Sequence, residues 1–367
     1  MGTLGEISHL MSGQDLNPDD YSDSIPSVYP YVTGASSLCE EGIVVNRWTS
    51  KPKRIAKRND ILLVCKGSGV GSLGMLSNVE QAHIARQIMG IRANETVSQR
   101  FLYHLISSII PSLKRKATGL IPGIDRDAFL TISCAVPKLP EQIKISSLLD
   151  SINKRIAIQN KVIEKYKSLI SAIIQHSQRH AIRNVYLRDV LSERKELNTA
   201  GYDIFSVSVS QGVINQIEYL GRSFAAKETS HYHVVRDGDI VYTKSPTGDF
   251  PYGIVKQSQQ KEPVAVSPLY GVYEPVTKEI GTYLHFYFCS PENTKNYLSR
   301  LIQKGAKNTI NITNQHFMDN TVKVPEDSSL KAVVIIVSKL SQLIELEEKR
   351  AIALQRQKAF FLSYLFI

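Results

Sequence analysis

Apolar residues recur at alternating steps of three and four along two long segments, which is the spacing of a helix with one apolar face. In residues 141–178 this series is interrupted only at Gln159 and consists of Leu149, Ile152, Ile156, Ile163, Tyr166, Ile170 and Ile173. Near the C-terminus, Glu347 and Lys358 interrupt a similar series, which consists of Val333, Val337, Leu340, Ile344, Ala351, Leu354, Phe361 and Leu365. The pattern predicts two long helices, and each apolar face needs a helical partner. The two could pair with each other, and about 38 residues at 1.5 Å per residue make a rod of roughly 57 Å.

The rest of the chain has the shorter rhythm of β-strands. Short alternating or β-branched runs are separated by Gly, Pro, Asn and Asp turns, and the runs are GIVVN, DILLVC, DIVYT, YGIVK, PVAVS and LYGVY. Three segments within these regions predict helices: EQAHIARQI, VSQRFLYHLISSI and GTYLHFYFCSPENTKNYLSRLI. We therefore expect an α+β protein, with mixed α/β domains at residues 1–137 and 183–323 and long helices at 138–182 and 324–367.

An internal repeat connects the two halves of the chain. RNDILLVCKG (58–67) matches DGDIVYTKSP (237–246), LIPGIDRDAFL (120–130) matches TINITNQHFM (309–318), and KLPEQ (138–142) matches KVPED (323–327). The aligned pairs are Asp60 with Asp239, Phe129 with Phe317, and Pro140 with Pro325, at offsets of 179, 188 and 185 residues. Because the three matches keep their order at nearly constant offset, each half is predicted to consist of one strand-rich domain followed by one long helix.

This order of parts resembles the specificity subunit of type I restriction-modification systems. The string LPEQ at 139–142 opens the first long helix, and an Asp-Ile-Leu strand with a glycine-containing loop occurs at Asp60 and, as Asp-Ile-Val, at Asp239. The approach to each helix, from Ile121 to Phe129 and from Ile310 to Phe317, is also similar. The second helix opens with VPED, in which Asp327 stands where the family pattern has glutamine. The resemblance covers the whole chain.

The resemblance implies a non-catalytic subunit that reads DNA and binds no cofactor. Two target recognition domains would lie head to tail, held apart by an antiparallel coiled coil of the two helices, and each would read one half of a bipartite target in double-stranded DNA. Two methyltransferase subunits would dock on the helices and adjoining surfaces, and restriction subunits would join them. Two alternatives stay open at this point: a coiled-coil adaptor that binds nucleic acid, and a self-contained DNA methyltransferase or nuclease with degenerate motifs.

Charge supports a polyanionic partner. The formal net charge is +10, and residues 138–182 carry half of it, with eight Lys and Arg against three Asp and Glu. No apolar run approaches the ~18–20 residues that cross a bilayer, and the N-terminus lacks a signal pattern, so we expect a cytoplasmic protein. The four cysteines form no CxxC pair, which predicts neither a zinc site nor a disulfide framework.

Several motifs could in principle carry chemistry of their own. GVGSLG at 69–74 fits the dinucleotide pattern G-x-G-x-x-G, but its repeat counterpart lacks those glycines, so we interpret it as a turn. Asp189, Glu193 and Lys195 have the residue types of a nuclease site at a domain entrance. His231 and His233 would share one face of a strand, although no third metal ligand is evident. No catalytic and no metal site is therefore predicted.

Basic and amide side chains mark the candidate DNA-contacting positions. In the first domain these are Arg47, Lys51, Lys53, Arg54, Lys57 and Arg58, which surround Trp48 without one acid, and then Lys66, Ser68, Lys114, Arg115, Lys116 and Thr118. In the second domain they are Tyr242, Lys244, Ser245 and Thr247 in the matching loop, followed by Lys304, Lys307, Asn308, Asn311 and Asn314. Cations suit phosphates, and fork-shaped donors and amides suit base edges.

Overall fold

The computed structural model describes residues 2–24, 28–39, 42–116, 123–181, 183–217, 228–304 and 310–366, with the backbone alone at 116, 303, 304, 310 and 311. The chain forms two compact units. Unit 1 comprises Met1–Lys161 with Glu348–Ile367, and unit 2 comprises Val162–Glu347. Strands and helices are both abundant, so the α+β class is confirmed.

Unit 1 contains two four-stranded sheets. The strands of the first are Ser8–Ser12 (β2), Ile61–Val64 (β8), Leu73–Met75 (β9) and Ile88–Ala93 (β11), arranged antiparallel in the order β2-β11-β8-β9. The second contains Tyr29–Val32 (β3), Trp48–Thr49 (β6), Ile55–Lys57 (β7) and Gln81–Ile84 (β10), in the order β6-β3-β10-β7. Two short pairs complete the unit: Gly2–Thr3 (β1) with Ser133–Cys134 (β12), and Leu38–Cys39 (β4) with Gly42–Ile43 (β5).

Strand β8 lies between two hydrophobic clusters, which explains its unbroken apolar sequence ILLV. Ile61 and Leu63 belong to one cluster, whereas Leu62 and Val64 belong to the other. Alternate residues of a strand point to opposite faces, so a strand covered on both faces is apolar throughout. Helix Gln99–Lys116 (α2) covers the first face, and Phe101 is among the residues that it buries.

Unit 2 repeats the first of these sheets. Leu191–Glu193 (β14), Ile240–Thr243 (β18), Ile254–Gln257 (β19) and Gly271–Pro275 (β21) form the antiparallel order β14-β21-β18-β19. Four two-stranded pairs accompany it: Arg183–Tyr186 (β13) with Thr321–Val324 (β24), Phe205–Ser208 (β15) with Gly212–Asn215 (β16), His233–Val235 (β17) with Val264–Val266 (β20), and Gln303–Lys304 (β22) with Ile310–Asn311 (β23).

The core of unit 2 contains a group of stacked aromatic rings. Phe317 is fully buried and lies against Tyr242 and Tyr273, with ring centroids 4.7 and 4.9 Å apart. Phe317 ends helix Asn314–Phe317 (α8), and Phe129 is buried in the corresponding helix Arg126–Leu130 (α3) of unit 1. The repeat therefore extends to the packing of equivalent aromatic residues.

The remaining helices differ in part from the sequence-based expectation. VSQRFLYHLISSI is helical within α2, as predicted. EQAHIARQI is not a helix, because β10 pairs with β3 and β7 and leads into a turn before β11. The segment expected as one helix at 281–302 is two helices, Lys278–Phe288 (α6) and Pro291–Ser299 (α7), because Ser290 caps a new N-terminus whose first residue is proline. Two short helices are Leu4–Ile7 (α1) and Leu187–Val190 (α5).

Strand pairing fixes which residues of the two halves are equivalent. Thr3 pairs with Ser133 immediately before α1, and Tyr186 pairs with Thr321 immediately before α5. Ser133 is therefore equivalent to Thr321, and four residues further along the chain Pro137, not Pro140, is equivalent to Pro325. The sequence alignment of that motif is therefore wrong by three residues, although the duplication itself is present in the structure.

The two predicted long helices are Leu139–Arg179 (α4) and Asp327–Leu365 (α9). Unit 1 holds the start of α4 and the end of α9, and unit 2 holds the end of α4 and the start of α9, which is the arrangement of an antiparallel pair. The predicted pairing residues of α4 are buried: Leu149, Ile152, Ile156, Ile163 and Ile170. In α9, Leu340 is buried, and Ile344, Leu354 and Phe361 are half-buried. Within the described ranges, no helix combines the length and the apolar character needed to span a membrane.

Candidate nucleic-acid interface

The basic segment 47–58 is only partly available to a ligand, because acidic residues distant in sequence neutralise half of it. Arg47 forms an ion pair with Asp23 and lies over the ring of Tyr21 at 4.6 Å. The other pairs join Lys51 to Asp20 at 2.8 Å and Arg58 to Glu80. Among the described residues, by contrast, no ion pair involves Lys53, Arg54 or Lys57, and all three are exposed.

A buried histidine fixes the turn that carries this unpaired set. The backbone amides of Lys53 and Arg54 donate to Nδ1 of His83 at 3.3 and 3.1 Å. Since Nδ1 accepts, the ring proton lies on Nε2, which donates to the carbonyl oxygen of Gln14 at 2.8 Å. Burial lowers the pKa of His83, so the ring stays neutral and keeps this pattern. The cations therefore project from a rigid backbone.

The hairpin between β8 and β9 lies next to the end of α2. Lys66 and Ser68 are exposed in its loop, and Gly71 has a positive φ of 80°. The aliphatic part of Lys114 lies so close to Gly71 that a Cβ there would overlap it. The structure thus brings together candidates that are far apart in sequence, and Arg115 is also exposed beside Lys114.

The equivalent hairpin of unit 2 joins β18 to β19. Ser245 and Thr247 are exposed, and Thr247 exchanges backbone hydrogen bonds of 3.1 and 2.9 Å with Phe250 to close the turn. Lys244 is half-buried, and burial lowers its pKa. Tyr242 differs from the expectation, because its ring is in the core and its hydroxyl donates to the carbonyl oxygen of Tyr252 at 2.9 Å. It offers no surface to DNA in this structure.

The other candidates of unit 2 lie after α7. Asn314 is half-buried at the start of α8, where its carbonyl accepts the hydroxyl of Tyr273 at 2.8 Å. Thr118, Lys307 and Asn308 lie outside the described residues. The side chains of Lys116, Lys304 and Asn311 lie outside them as well. Their DNA contacts stay predictions.

An ion pair between a buried aspartate and a half-exposed arginine holds the start of β8, and the sequence analysis identified only the aspartate. Asp60 is 3% exposed and accepts two hydrogen bonds of 2.7 Å from Arg92 on β11, together with one of 2.8 Å from the amide of Lys57. This pairing orients the strand that enters the first hairpin. The repeat singled out Asp60, but nothing in the sequence links it to Arg92.

In unit 2 the equivalent aspartate, Asp239, also forms an ion pair, but its arginine lies at the end of a different strand. Asp239 accepts hydrogen bonds of 2.7 and 3.1 Å from Arg194, which follows β14, and one of 2.8 Å from the amide of Arg236. Burial raises the pKa of Asp239, and Arg194 opposes that rise. Glu274 of β21, at the position equivalent to Arg92, is 3.2 Å from Arg194.

Comparison with known proteins identifies the first part of the chain. Residues 1–167, which include the strand-rich domain of unit 1 and much of α4, match the family described as the type I restriction modification DNA specificity domain. The match covers 167 of the 367 residues and is a likeness of this part of the chain to the family. Among curated proteins, none matches the chain.

Solved structures extend the fold of the specificity domain to the whole chain. An S subunit of a type I restriction-modification system from M. genitalium has a TM-score of 0.61 and 14% identity, and the match covers 100% of this chain and 95% of that one. A chain from a structure on complex assembly and conformational transition of the type I R-M system has a TM-score of 0.53 and 14% identity, with 98% and 95% covered. At these identities the likeness shows the fold.

The LPEQ motif attaches α4 to the strand-rich domain of unit 1. Gln142 is 1% exposed; its Oε1 accepts from the amide of Ser98 at 2.7 Å, and its Nε2 donates to the carbonyl oxygens of Pro137 and Thr96 at 2.9 and 3.3 Å. The equivalent residue of unit 2 is the buried Leu330. Strand pairing therefore places a buried leucine, and not Asp327, at the position of Gln142 in the second copy.

The motifs considered for catalysis occupy ordinary structural positions. GVGSLG spans the β8–β9 hairpin and enters a strand, whereas a dinucleotide site needs a helix after the glycines. His231 precedes β17, while His233 starts that strand and uses Nδ1 toward the carbonyl oxygen of Tyr270 at 3.2 Å. In the described part of the chain, no three His, Cys, Asp or Glu side chains gather as metal ligands.

Proposed function

We propose that this chain is the DNA-reading subunit of a type I restriction-modification complex, in which the strand-rich domain of each unit recognises one half of a bipartite target. The family match of residues 1–167 carries this proposal. It extends to the second half because β14-β21-β18-β19 repeats β2-β11-β8-β9, with equivalent hairpins, buried aspartates and buried phenylalanines.

Each domain grips DNA through its exposed cations and hairpin loop. In unit 1 the unpaired set Lys53, Arg54 and Lys57 contacts phosphates, and the surface formed by Lys66, Ser68 and Lys114 lies along the adjacent groove. In unit 2 the corresponding hairpin presents Ser245 and Thr247. Phosphate contacts fix the register, while loop hydroxyls and amides at hydrogen-bond distance from base edges supply selectivity.

The long helices set the spacing of the two half-sites and dock the partner subunits. Each helix buries one apolar seam but also exposes large apolar residues elsewhere: Ile143, Leu148, Ile158 and Leu169 in α4, and Ile335, Ile336, Leu343, Leu346, Ile352, Phe360 and Tyr364 in α9. A helical pair with further apolar residues on its outside suits additional helices of a partner. Two methyltransferase subunits would bind there and supply the chemistry, and restriction subunits would join that assembly.

Methylation mapping tests the proposal directly. The chain is co-expressed with the adenine methyltransferase encoded nearest to its gene, and N6-methyladenine is mapped by single-molecule sequencing. We expect one bipartite motif that disappears when this chain is omitted. An unchanged motif without the chain, or no motif with it, would contradict the proposal, and DNA methylation or cleavage by the purified chain alone would favour the self-contained enzyme.

Salt dependence tests the phosphate contacts of unit 1. Each lost phosphate contact lowers the slope of log affinity against log salt by about 0.9. Replacing Lys53, Arg54 and Lys57 with glutamine should therefore lower the slope by about 2–3. The matched control replaces the paired set, Arg47, Lys51 and Arg58, and should change the slope less. Equal changes in both sets would show that internal pairing does not decide which cations reach DNA.

A further inference from the structure

Unit 2 contains a cysteine whose sulfur lies between two nitrogen donors. Cys289 follows the last residue of α6, and its Sγ accepts a hydrogen bond of 3.4 Å from Nζ of Lys256 on β19. On the other side, Nε2 of His285 is 3.8 Å from the same sulfur. These are the titratable groups that act on Cys289, one from its own helix and one from the adjacent strand.

The orientation of His285 is fixed. The backbone amide of Gln257 donates to Nδ1 of His285 at 3.1 Å, so the proton of the neutral ring lies on Nε2 and faces the sulfur. Lys256 is 6% exposed, and an ammonium group buried to that extent needs an opposite charge nearby. A thiolate at Cys289 supplies that charge and accepts from both nitrogens.

The balance of these effects favours the thiolate. Burial of the sulfur opposes ionisation, but His285 and then Lys256 outweigh it and lower the pKa of the Cys289 thiol to about 6. Two other cysteines behave in the opposite way, because burial raises the pKa of Cys65 and of Cys134. Cys39 is exposed and serves as an internal reference.

The duplicated fold does not require this cluster. Val241 pairs with Lys256 in unit 2, and its equivalent Leu62 pairs with Gly74 in unit 1. Glycine therefore occupies the position of the lysine in the other copy. The shared sheet therefore does not require Lys256, whose Nζ nevertheless contacts the sulfur of Cys289.

We propose that Cys289 is a covalent modification site that reacts with small disulfides. The thiolate sulfur attacks one sulfur of the disulfide, the S–S bond breaks, and the second sulfur leaves as a thiolate while a mixed disulfide forms on Cys289. The disulfide is the only oxidant in this exchange, and Lys256 and His285 hold the attacking sulfur deprotonated. Cys289 is partly exposed as a residue but its sulfur is largely enclosed, so the proposal is limited to disulfides of small size.

The pH profile of alkylation tests the thiolate. The native full chain is treated with limiting iodoacetamide from about pH 5 to about pH 9, and each cysteine is quantified by peptide mass spectrometry. We expect half-maximal labelling of Cys289 near pH 6, well below the ordinary thiol value of about 8.5, with the exposed Cys39 as the reference for labelling efficiency. A Cys289 midpoint near about 8.5, or no native-state labelling, would overturn the proposal.

Variants and a disulfide probe test the assignment of the partners. Lys256→Met and His285→Gln should each raise the Cys289 midpoint by at least about one pH unit, whereas Lys261→Met, at an exposed lysine of the same unit, should leave it unchanged. At about pH 7, oxidised glutathione should modify Cys289 faster than Cys39. A slower reaction at Cys289 would refute the disulfide assignment even if the low midpoint were observed.

Discussion

Replacing Gln142 with leucine tests how the LPEQ motif holds α4 to the strand-rich domain of unit 1. The change gives unit 1 the residue that unit 2 has at the equivalent position, Leu330. It removes three hydrogen bonds, to the amide of Ser98 and to the carbonyl oxygens of Pro137 and Thr96. The site in unit 1 was built for an amide, so the apolar side chain leaves those backbone groups without their partner.

The magnitude follows from these contacts. Three hydrogen bonds at about 1 kcal/mol each give a loss of about 3 kcal/mol, and apolar burial of the leucine returns about 1 kcal/mol of it. A net loss of about 2 kcal/mol should lower the melting temperature of a unit of this size by about 4–8 °C. Reading of the half-site by unit 2 should not change, because the three hydrogen bonds of Gln142 lie within unit 1.

Differential scanning calorimetry and urea unfolding of the full chain measure this loss. The matched control is Gln175→Leu at an exposed glutamine of the same helix, which should change the unfolding free energy by less than about 0.5 kcal/mol. If Gln142→Leu has the same melting temperature as the parent protein, the three hydrogen bonds contribute no net stability and our explanation of the motif is refuted.

Three further predictions concern the helices, the core and the thiol. Removing fourteen residues, about 21 Å of rod, from each long helix should change the spacer between the half-sites or abolish assembly, and an unchanged spacer in methylation mapping would contradict the role in spacing. Phe317→Ala should cost about 3–5 kcal/mol in urea unfolding because two stacked tyrosines lose their partner, and a loss below about 1 kcal/mol would contradict that packing. Cys289 ionises at about pH 6 when folded and at about 8.5 when unfolded, so the stability of the parent relative to Cys289→Ser should be greatest above about pH 8.5 and fall as the pH drops toward about 6. A stability difference independent of pH would argue against the thiolate.

Local patterns predicted most of the architecture because those patterns are themselves the physical cause. The heptad spacing that buries Leu149 and Ile152 is sufficient to indicate a long paired helix, and the run ILLV indicates a strand, whose burial on both faces is seen in the structure. The helix predicted for EQAHIARQI is wrong because its apolar spacing fits both a helix and a strand. Pairing of β10 with the distant strands β3 and β7 makes the segment a strand. The break before Pro291 did carry a local signal, the serine cap followed by proline, which outweighs the continuous apolar character of the segment.

The sequence predicted the basic residues of the candidate interface but not which of them are neutralised by ion pairs. The basic residues of 47–58 are plain in the sequence, but Asp20, Asp23 and Glu80, which pair with three of them, come from outside the segment. Tyr242 shows the same limit, because the alternation of β18 gives two opposite faces and only the surrounding packing shows that both are buried. Charge predicted a polyanionic partner, and tertiary pairing decides which charges remain for it.

The two buried aspartates take their arginines from different strands, and this difference has a consequence for recombination between the two halves. Asp60 takes its cation from β11, whereas Asp239 takes its cation from the end of β14, and β21 carries Glu274 where β11 carries Arg92. A crossover that transplanted β21 into the first sheet would place two carboxylates together without a guanidinium. Exchange of a complete domain, from the strand pair before α1 or α5 to the start of the following long helix, keeps each pair intact. An exchange of whole domains would therefore preserve both ion pairs, whereas a crossover inside the sheet would leave an aspartate without its arginine.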